Sequence, residues 1–278
     1  MIRKLKLINA KGETWDLNRE SSFFHTLSGF GFEDATQYER IGTTFYPLDE
    51  ILNQGRVDGS VFFSEPDSYG RYREFARFVR VMPLTLVYQM DDVFRLQVRV
   101  AKLEKGEKIN GGIGLDCPIS FIAEGLFYRT VNKYGNTIMI GGKIYDYGYP
   151  HTYADESYNT VLIDSDSNED SPCRITIFGP CLNPQWKHYV DNQLYETGSY
   201  AGDIPVDHKL VIDTTQIPYS ITERGAMDEL VADRYQMCDF NTERFFHLQK
   251  GANRISVIHD GINTLKVLVE GRISYETV

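Results

Sequence analysis

The densest group of potential metal ligands in the sequence is the acidic segment from Asp164 to Asp170, Asp-Ser-Asp-Ser-Asn-Glu-Asp. Carboxylate and amide oxygens at alternate positions are the ligands of a calcium-binding loop of the EF-hand kind. Such a loop also needs glycine at its sixth position and a bidentate glutamate at its twelfth, where this sequence has Glu169 and Ile175. The two mismatches favour a solvated turn, and we expect no metal site here.

Histidine and cysteine residues show no spacing typical of a metal centre. No H-E-x-x-H motif and no pair of histidines four residues apart occurs among His25, His151, His188, His208, His247 and His259. Equally far from any C-x-x-C spacing are the cysteines Cys117, Cys173, Cys181 and Cys238. We therefore expect reduced, partly buried thiols and structural or exposed imidazoles, with no metal-ligating residue.

Motifs that carry nucleophilic or nucleotide chemistry are also missing. The sequence has no G-x-S-x-G motif and no phosphate-binding loop, and its Gly29-x-Gly31 and Gly111-Gly-Ile-Gly114 runs lack the required passage from strand to helix. A glycanase needs two carboxylates a few ångströms apart, and any pair chosen among 39 acidic residues is arbitrary. We predict no catalytic and no cofactor-binding residue, and a protein that is not an enzyme.

Composition indicates a folded, sheet-rich protein of two domains. The 278 residues correspond to two domains at about 150 residues each. A net charge of -10 argues against a dedicated binder of nucleic acid or of anionic membranes, because phosphate contacts need a clustered positive field. The N-terminus has no continuous apolar signal region, and no segment approaches 18 uninterrupted apolar residues. We expect synthesis in a cytoplasm.

One amphipathic helix is predicted from Tyr69 to Val79. Its apolar stripe consists of residues three or four positions apart, Tyr69, Tyr72, Phe75 or Ala76, and Val79. Asp67 or Ser68 can cap its start, and Pro83 ends it. Mostly on the opposite face are Arg71, Arg73, Arg77 and Arg80. On that face no aromatic residue is interleaved with these arginines, and the chain is acidic, so we favour surface ion pairs or contacts with an acidic neighbouring subunit over nucleic acid.

The remaining pattern is one of alternating strands. In the first half we predict a strand, a Lys11-Gly12 turn and a strand between Ile2 and Thr14, a turn at Asp58-Gly59, and strands at Leu84 to Tyr88, Phe94 to Leu103 and Leu115 to Ile122. The second half predicts strands at Tyr158 to Ile163, Cys173 to Phe178, Leu210 to Asp213, Arg244 to Leu248, Ile255 to Ile258 and Leu265 to Tyr275. Short alternating runs of this kind are typical of a β-sandwich, so we divide the chain into domains 1-130 and 131-278.

Two segments of the second half are singled out. Asp239 to Ile258 predicts a hairpin in which Gly251 supplies a positive φ and Asn253 closes the turn through its side-chain amide. Thr214 to Met237 is expected to be a long loop without an assigned role, with mild helical character from Ala226 to Tyr235.

In their order and spacing these segments resemble the distal tail proteins of siphophages, a tail-tip and baseplate hub family. The segments that carry the resemblance are Val57 to Phe63, the 69-79 helix, Leu84 to Tyr88, Lys102 to Glu107, Cys117 to Phe121, Tyr158 to Ile163, Arg174 to Gly179, Lys209 to Asp213 and the 239-258 hairpin. The chain departs from the family at Phe127-Tyr128, where many relatives have a tryptophan, and in the length of the 214-237 loop.

The resemblance implies a mainly β fold, with an N-terminal split-barrel-like domain that contains one helix and a C-terminal galectin-like antiparallel β-sandwich. It also implies a homo-hexameric ring that joins the tail tube to the tail tip of a virion and supports host attachment. The expected partners are the tail tube protein, the tail-tip hub or tail-associated protein and, in some members, receptor-binding proteins. No catalysis, nucleic acid or membrane is implied.

A carbohydrate-binding module for bacterial surface glycans is the main alternative. Aromatic residues that could stack on sugar cluster in the sequence at Trp186, Tyr189, Tyr195 and Tyr200. Large aromatic side chains more often fill the space between sheets, so we favour a core role for them. A β-sandwich hydrolase is the third hypothesis and rests on fold analogy alone.

Overall fold

The computed structural model describes residues 3-49, 52-109, 112-139, 157-167, 169-261 and 264-278. The chain forms two compact units: unit 1 comprises residues 1-129 and 275-278, and unit 2 comprises residues 130-274. The last four residues thus group with unit 1. The division into a ring-forming domain, 1-130, and a galectin-like sandwich, 131-278, stays a prediction about these units.

The described residues of the first half of the chain form twelve strands and one α-helix, α1 (Ser68–Phe78). The strands are β1 (Lys4–Ile8), β2 (Thr14–Asp16), β3 (Asn18–Arg19), β4 (Ser22–Ser28), β5 (Gln37–Ile41), β6 (Thr44–Asp49), β7 (Arg56–Ser64), β8 (Leu84–Gln89), β9 (Val93–Leu103), β10 (Lys108–Ile109), β11 (Gly114–Ala123) and β12 (Phe127–Tyr134). The strands predicted at Leu84 to Tyr88, Phe94 to Leu103 and Leu115 to Ile122 are confirmed as β8, β9 and β11.

The main sheet of unit 1 is antiparallel, in the order β3-β4-β7-β11-β9-β8-β1-β2. Between β2 and β3, the Leu17 N–H donates to the Leu5 carbonyl of β1, and the Leu17 carbonyl accepts from the Phe24 N–H of β4. The two ends of the strand order therefore approach each other at Leu17. The sheet surrounds a core of alternate strand residues that includes Leu7, Val61, Phe63, Leu84, Leu86, Leu96, Val98, Leu115 and Phe121.

Helix α1 covers this core with its apolar stripe. The Gly70 N–H donates to Asp67 Oδ1 at 3.1 Å, which confirms Asp67 as the cap. Phe75 is fully buried, with its ring 5.3 Å from Trp15 and 5.6 Å from Phe63. Tyr69, at the start of the predicted apolar stripe, is not buried. It is 41% exposed, and its ring lies beneath the ammonium groups of Lys105 and Lys108 at the surface.

The predicted turn at Asp58-Gly59 was also wrong, because both residues lie inside β7. A Cβ on Gly59 would meet the Phe24 ring at 2.4 Å and the His25 carbonyl oxygen at 2.9 Å. The glycine therefore allows β4 and β7 to pack closely and does not mark a turn.

Twelve further strands lie in the part of the second half that the structure describes. They are β13 (Asn136–Met139), β14 (Ser157–Ser165), β15 (Cys173–Phe178), β16 (Cys181–Leu182), β17 (Gln185–Val190), β18 (Gln193–Ser199), β19 (Asp203–Ile204), β20 (Lys209–Asp213), β21 (Ser220–Arg224), β22 (Leu230–Asp233), β23 (Gly251–Ile258) and β24 (Lys266–Tyr275). The strands predicted in β14, β15, β20, β23 and β24 are confirmed.

Unit 2 is built on two antiparallel sheets. One has the order β22-β21-β20-β15-β24 and the other the order β13-β14-β23-β17-β18. Alternate residues of both sheets are buried, among them Val161, Ile163, Ile175, Ile177, Trp186, Leu210, Ile212, Ile255, Val257, Val267 and Val269. Two sheets that each bury one face are typical of a sandwich. The predicted mainly β class is confirmed, since α1 is the only α-helix of the described residues.

The hairpin predicted around Gly251 was only partly right. Gly251 has a φ of 108°, and the Asn253 amide closes the turn by bonding both the N–H and the carbonyl of Gln249. However, residues 244-248 form no strand: only Leu248 bridges, to Ser171. Both edges of β23 are occupied, by β14 and β17, so no edge is left for the preceding segment.

The predicted long loop from Thr214 to Met237 contains regular structure. Strands β21 and β22 lie within it, and the segment from Ala226 to Tyr235, expected to be mildly helical, holds β22 followed by a short 3₁₀ turn at Tyr235–Met237. The strand prediction failed because β22 leaves most of its side chains exposed and so lacks an apolar alternation.

Candidate functional site

The acidic segment predicted to be a solvated turn is closed by its own serine residues. Ser167 is buried, accepts a hydrogen bond from the Glu169 N–H at 3.0 Å and donates to the Glu169 carbonyl. Asn168 lies outside the described residues. Across the part of the chain that the structure describes, no group of three or more His, Cys, Asp or Glu side chains could hold a metal ion.

The histidines are dispersed, each with a different partner. His25 Nε2 lies 3.0 Å from Asp116 Oδ1, and the fully buried His188 Nε2 lies 2.8 Å from Asn253 Oδ1. His208 bonds Glu223, and His247 lies 3.1 Å from the Tyr219 hydroxyl. His151 lies outside the described residues. The structure therefore brings no two of the described histidines together at one site.

All four cysteines are free and buried. Burial raises the pKa of Cys173 and of Cys181 to about 12 and that of Cys238 to about 11. Thiols in such surroundings stay protonated and are poor nucleophiles, so the expectation of inert, reduced cysteines agrees with their environment.

Unit 1 has a cavity of about 460 Å³ that is lined, among other residues, by the carboxylates of Glu33, Asp58 and Glu276. A hydrogen bond from Ser120 and the charge of Arg56 lower the pKa of Asp58, which keeps this carboxylate ionised. A glycosidase of the usual kind needs one carboxylic acid with a raised pKa, and Asp58 is the opposite.

The aromatic cluster proposed as a sugar platform divides between core and surface. Trp186 and Tyr200 are fully buried, which confirms the favoured core role for these two residues. Tyr189 lies under the Arg254 guanidinium at 4.0 Å, and Tyr195 is 55% exposed. Tyr195 and the exposed Phe240 line an open groove of about 430 Å³ together with Glu196, Glu243 and Arg244.

The most unusual surface is a two-stranded hairpin in unit 1, which we call the arm (residues 37-49). It consists of β5 and β6, which pair with each other and with no other strand of the described residues. Every residue of both strands is exposed. Five large apolar residues of the arm are at least half exposed: Tyr38, Ile41, Phe45, Tyr46 and Leu48. An isolated hairpin is at best marginally stable in water, so the arm lacks the burial that would fix it.

The register of the arm gives its two faces different chemistry. Glu39 pairs with Tyr46 and Ile41 with Thr44, so these four side chains share one face, called the acidic face. On the other face, Arg40 is paired with Phe45 and its guanidinium lies 5.9 Å from the centre of that ring. Apolar side chains thus occur on both faces of the arm.

The base of the arm is fixed by backbone contacts. The Asn53 N–H donates to the Glu33 carbonyl at 2.8 Å, and Asp34 bridges to Leu52. Gly29 has a φ of 93°, and a Cβ there would lie 1.8 Å from the Arg56 carbonyl oxygen. Only glycine allows this close approach without displacing the backbone. The arm therefore projects from an ordered base.

A second distinctive surface is the arginine stripe of α1, formed by Arg73, Arg77 and Arg80. The three residues recur at spacings of four and three, so they lie on one side of the helix and of the turn that continues it. All three are exposed, and none forms an ion pair or side-chain hydrogen bond with another described residue. By contrast, Arg71 donates to the Ser64 carbonyl at 2.8 Å and is held inside unit 1.

Sequence reasoning found the arginines and missed the arm. The missing signal was available: a Gly42-Thr43 connection, with Gly42 at a φ of 67°, separates two runs rich in tyrosine, phenylalanine, isoleucine and threonine. The exposure of both faces is not visible in the sequence, because it depends on which other strands are absent from the neighbourhood.

Comparisons with known proteins agree with these features. The family described as distal tail protein, N-terminal domain, matches residues 4-124, which include the arm and α1. No curated protein matches the chain. Within the described residues, no helix has the length and apolarity needed to cross a membrane.

Two solved structures have the same fold over nearly the whole chain. A chain of the phage P2 baseplate in its activated conformation with Ca has a TM-score of 0.64 at 15% identity, and 100% of each chain is covered. The Dit protein of SPP1, described as a paradigm of the hub adsorption apparatus in phages that infect Gram-positive hosts, has a TM-score of 0.64 at 8% identity, with 98% of this chain and 99% of that chain covered. The suspected resemblance to the phage distal tail proteins is thereby confirmed: residues 4-124 belong to the distal tail protein N-terminal domain family, and this match supports a structural component of the phage tail and its baseplate.

Proposed function

We propose that this protein forms a hexameric ring that connects the tail tube to the tail-tip hub or baseplate, and that it thereby supports attachment to the host. Unit 1 would form the ring, and unit 2, a galectin-like sandwich, would be displayed outward. Its partners would be the tail tube protein on one face, the hub or tail-associated protein on the other, and receptor-binding proteins at the tip. The protein would be made in the host cytoplasm and would act without catalysis.

The observation that carries this proposal is the arm. Its exposed tyrosine, phenylalanine, isoleucine and leucine side chains lie in a hairpin that no other strand pairs with. Contiguous apolar surface of this kind marks a protein interface. A projecting element that fits a different surface on the next copy gives a head-to-tail contact, and such contacts close into a ring when the rotation between neighbours permits it.

Light scattering over a concentration series tests the proposal directly. Six copies of the 31.9 kDa chain give a mass of about 190 kDa, and we expect this mass or an equilibrium between it and the single chain. A variant with Tyr38, Ile41, Phe45 and Tyr46 each changed to serine should remain a single chain at concentrations where the wild type assembles.

Two controls make the result specific. Serine at exposed Leu194 and Tyr195 of unit 2 removes apolar surface away from the arm and should leave the assembly unchanged. Thermal unfolding of the arm variant, measured where both proteins are single chains, should match the wild type. A wild-type chain that stays single at every concentration, also when mixed with tail tube protein, contradicts the ring.

Carbohydrate binding remains a second candidate because one observation favours it. The groove lined by Tyr195 and Phe240 offers two aromatic side chains, each more than half exposed, beside carboxylate and guanidinium groups, as sugar sites require. Glycan-array binding that is lost in a variant with alanine at both positions supports this function. If neither the wild type nor the variant binds any glycan, the result argues against carbohydrate binding by unit 2.

A further inference from the structure

We propose that the acidic face of the arm of one copy lies on the arginine stripe of α1 in the next copy. This contact rests on the proposed self-assembly and names the two surfaces that meet in it. The stripe consists of Arg73, Arg77 and Arg80, and the acidic face is centred on Glu39 and Tyr46.

Charge complementarity identifies the two surfaces as partners. The arm and the segment that leads into it, residues 33-49, carry four carboxylates and one arginine, a net charge of -3, of which the arm itself, residues 37-49, contributes -1. Residues 68-80 carry four arginines and one glutamate, a net charge of +3, in a chain whose total charge is -10. A locally basic helix in an acidic protein is therefore the natural counterpart of this acidic segment, and the like charges of two such segments disfavour a contact of arm with arm.

Arginine also suits the aromatic content of the arm. A guanidinium is planar, so it can donate two hydrogen bonds to a carboxylate at its edge while its face stacks on an aromatic ring. The compact ammonium group of lysine has no such plane. The chain already uses this pairing within itself, where Arg254 lies 4.0 Å above Tyr189 and Arg244 lies 4.4 Å above Phe240. The exposed guanidinium groups of the stripe are thus able to cover Tyr46 while they pair with Glu39.

The position of the two surfaces favours a contact between copies. The arm precedes the start of β7 at Arg56, and α1 follows the end of the same strand at Ser64. Nine residues of extended chain separate the two ends by roughly 26 Å. Among the described residues, no ion pair joins the arm to α1 of the same chain. Two different complementary surfaces at separate places on one molecule produce the heterologous, head-to-tail interface that a ring needs.

A proline in the arm also favours a contact through side chains over the pairing of β6 with another strand. Pro47 lies in β6 opposite Tyr38 and has no backbone N–H. It weakens the outer edge of β6 as a template for another strand. The arm is therefore suited to lie across a helix rather than to extend a neighbouring sheet.

Charge reversal in the full-length chain tests the contact. Arg73→Glu with Arg77→Glu, and separately Glu39→Arg, should each raise the concentration at which half of the chains are assembled by about tenfold or more. The three changes combined should recover much of the loss, because the pairing is restored with inverted signs. The matched control is Lys11→Glu with Arg19→Glu, which makes the same change in net charge at exposed positions away from both surfaces.

Cross-linking gives an independent measurement. Chains with Glu39→Cys and tagged chains with Arg77→Cys are mixed and treated with a mild oxidant. A disulfide between the two kinds of chain can form only between copies, and the native thiols contribute little because all four are buried. In the control, a chain with Arg19→Cys takes the place of the chain with Arg77→Cys; the side chain of Arg19 is 64% exposed. Efficient mixed disulfide with Arg77→Cys and little with Arg19→Cys supports the proposal.

The outcomes separate this contact from the proposed ring. Assembly that persists unchanged after reversal at Arg73 and Arg77, together with no mixed disulfide, overturns the arm-to-helix contact and leaves the ring standing. A wild-type chain that never assembles overturns both. Loss of assembly in the single-surface variants without recovery in the combined variant also counts against the direct pairing.

Discussion

Two hairpins leave apolar side chains in solvent, and only one of them is held by its own unit. The arm, residues 37-49, exposes large apolar groups on both faces and forms no strand pair beyond itself. The hairpin of β21 and β22 in unit 2, residues 220-233, exposes Met227, Leu230 and Val231. However, β21 pairs along its length with β20 and buries Ile221 and Glu223.

Ionic contacts reinforce the hairpin of unit 2. The Glu223 side chain is almost completely buried and bonds His208 through one oxygen and Arg234 through the other. Near the turn, Asp228 Oδ1 lies 2.8 Å from Lys209 Nζ, and Asp228 Oδ2 lies 3.3 Å from Arg224. No contact of comparable strength crosses the described part of the arm, where Arg40 bonds only the Gly42 carbonyl. Exposed apolar groups therefore indicate a docking surface when the element also lacks its own anchors.

Limited proteolysis should show the largest difference between the two hairpins. In the single chain, trypsin should cleave after Arg40 in the arm at least about tenfold faster than after Arg224 in β21, because local opening of an unpaired hairpin costs little free energy. Mass spectrometry of the early fragments measures both rates. Assembly should protect Arg40 and leave the Arg224 rate unchanged. Equal cleavage rates after Arg40 and Arg224 in the single chain would show that the arm is held as firmly as the hairpin of β21 and β22.

Replacement of Glu223 by glutamine should produce the next largest effect. The amide keeps the size of the side chain but leaves Arg234 and His208 without their carboxylate, so the free energy of unfolding should fall by about 3 kcal/mol. Urea unfolding measures this change. As a comparison, the four-serine variant of the arm should change the free energy of unfolding of the single chain by no more than about 0.5 kcal/mol. A large loss in the arm variant would mean that the arm packs on its own unit.

The sequence allowed some of this contrast to be predicted. Local patterns identified α1, a cap at Asp67 or Ser68, and the strands β8, β9, β15 and β20, because alternation and spacing report directly which side of an element is buried. The arm and β22 were missed because exposed strands carry no apolar alternation that reports burial, and β21 was missed because its three central residues are all buried, two of them polar. Long-range pairing was equally hidden: nothing near Phe246 in the sequence reveals that both edges of β23 are already occupied.

The Glu223 cluster should also make the stability of unit 2 depend on pH. Burial opposes ionisation of Glu223, but hydrogen bonds from His208 and Arg234 outweigh it and hold its pKa below the ordinary value of 4.5. Because the folded pKa is the lower one, this contribution is complete above the ordinary value and is lost as the pH falls through the folded value. The difference in unfolding free energy between wild type and Glu223→Gln should therefore shrink below about pH 4.5. A difference that stays constant down to acid unfolding would show that the carboxylate charge is not responsible.

The smallest expected effect concerns Asp228, at the exposed turn of the hairpin of β21 and β22. More than half of its side chain is exposed, so its pairs with Lys209 and Arg224 are screened by solvent, and Asp228→Asn should cost at most about 1 kcal/mol. Asparagine also tolerates the positive φ of 68° at this position, so the change isolates the charge. Urea unfolding at low and high salt measures it, and the loss should decrease as salt increases. A loss as large as that of Glu223→Gln would show that the ion pairs at the turn, rather than the buried Glu223 cluster, hold the hairpin of β21 and β22. The arm would then differ from this hairpin only in lacking ion pairs at its turn.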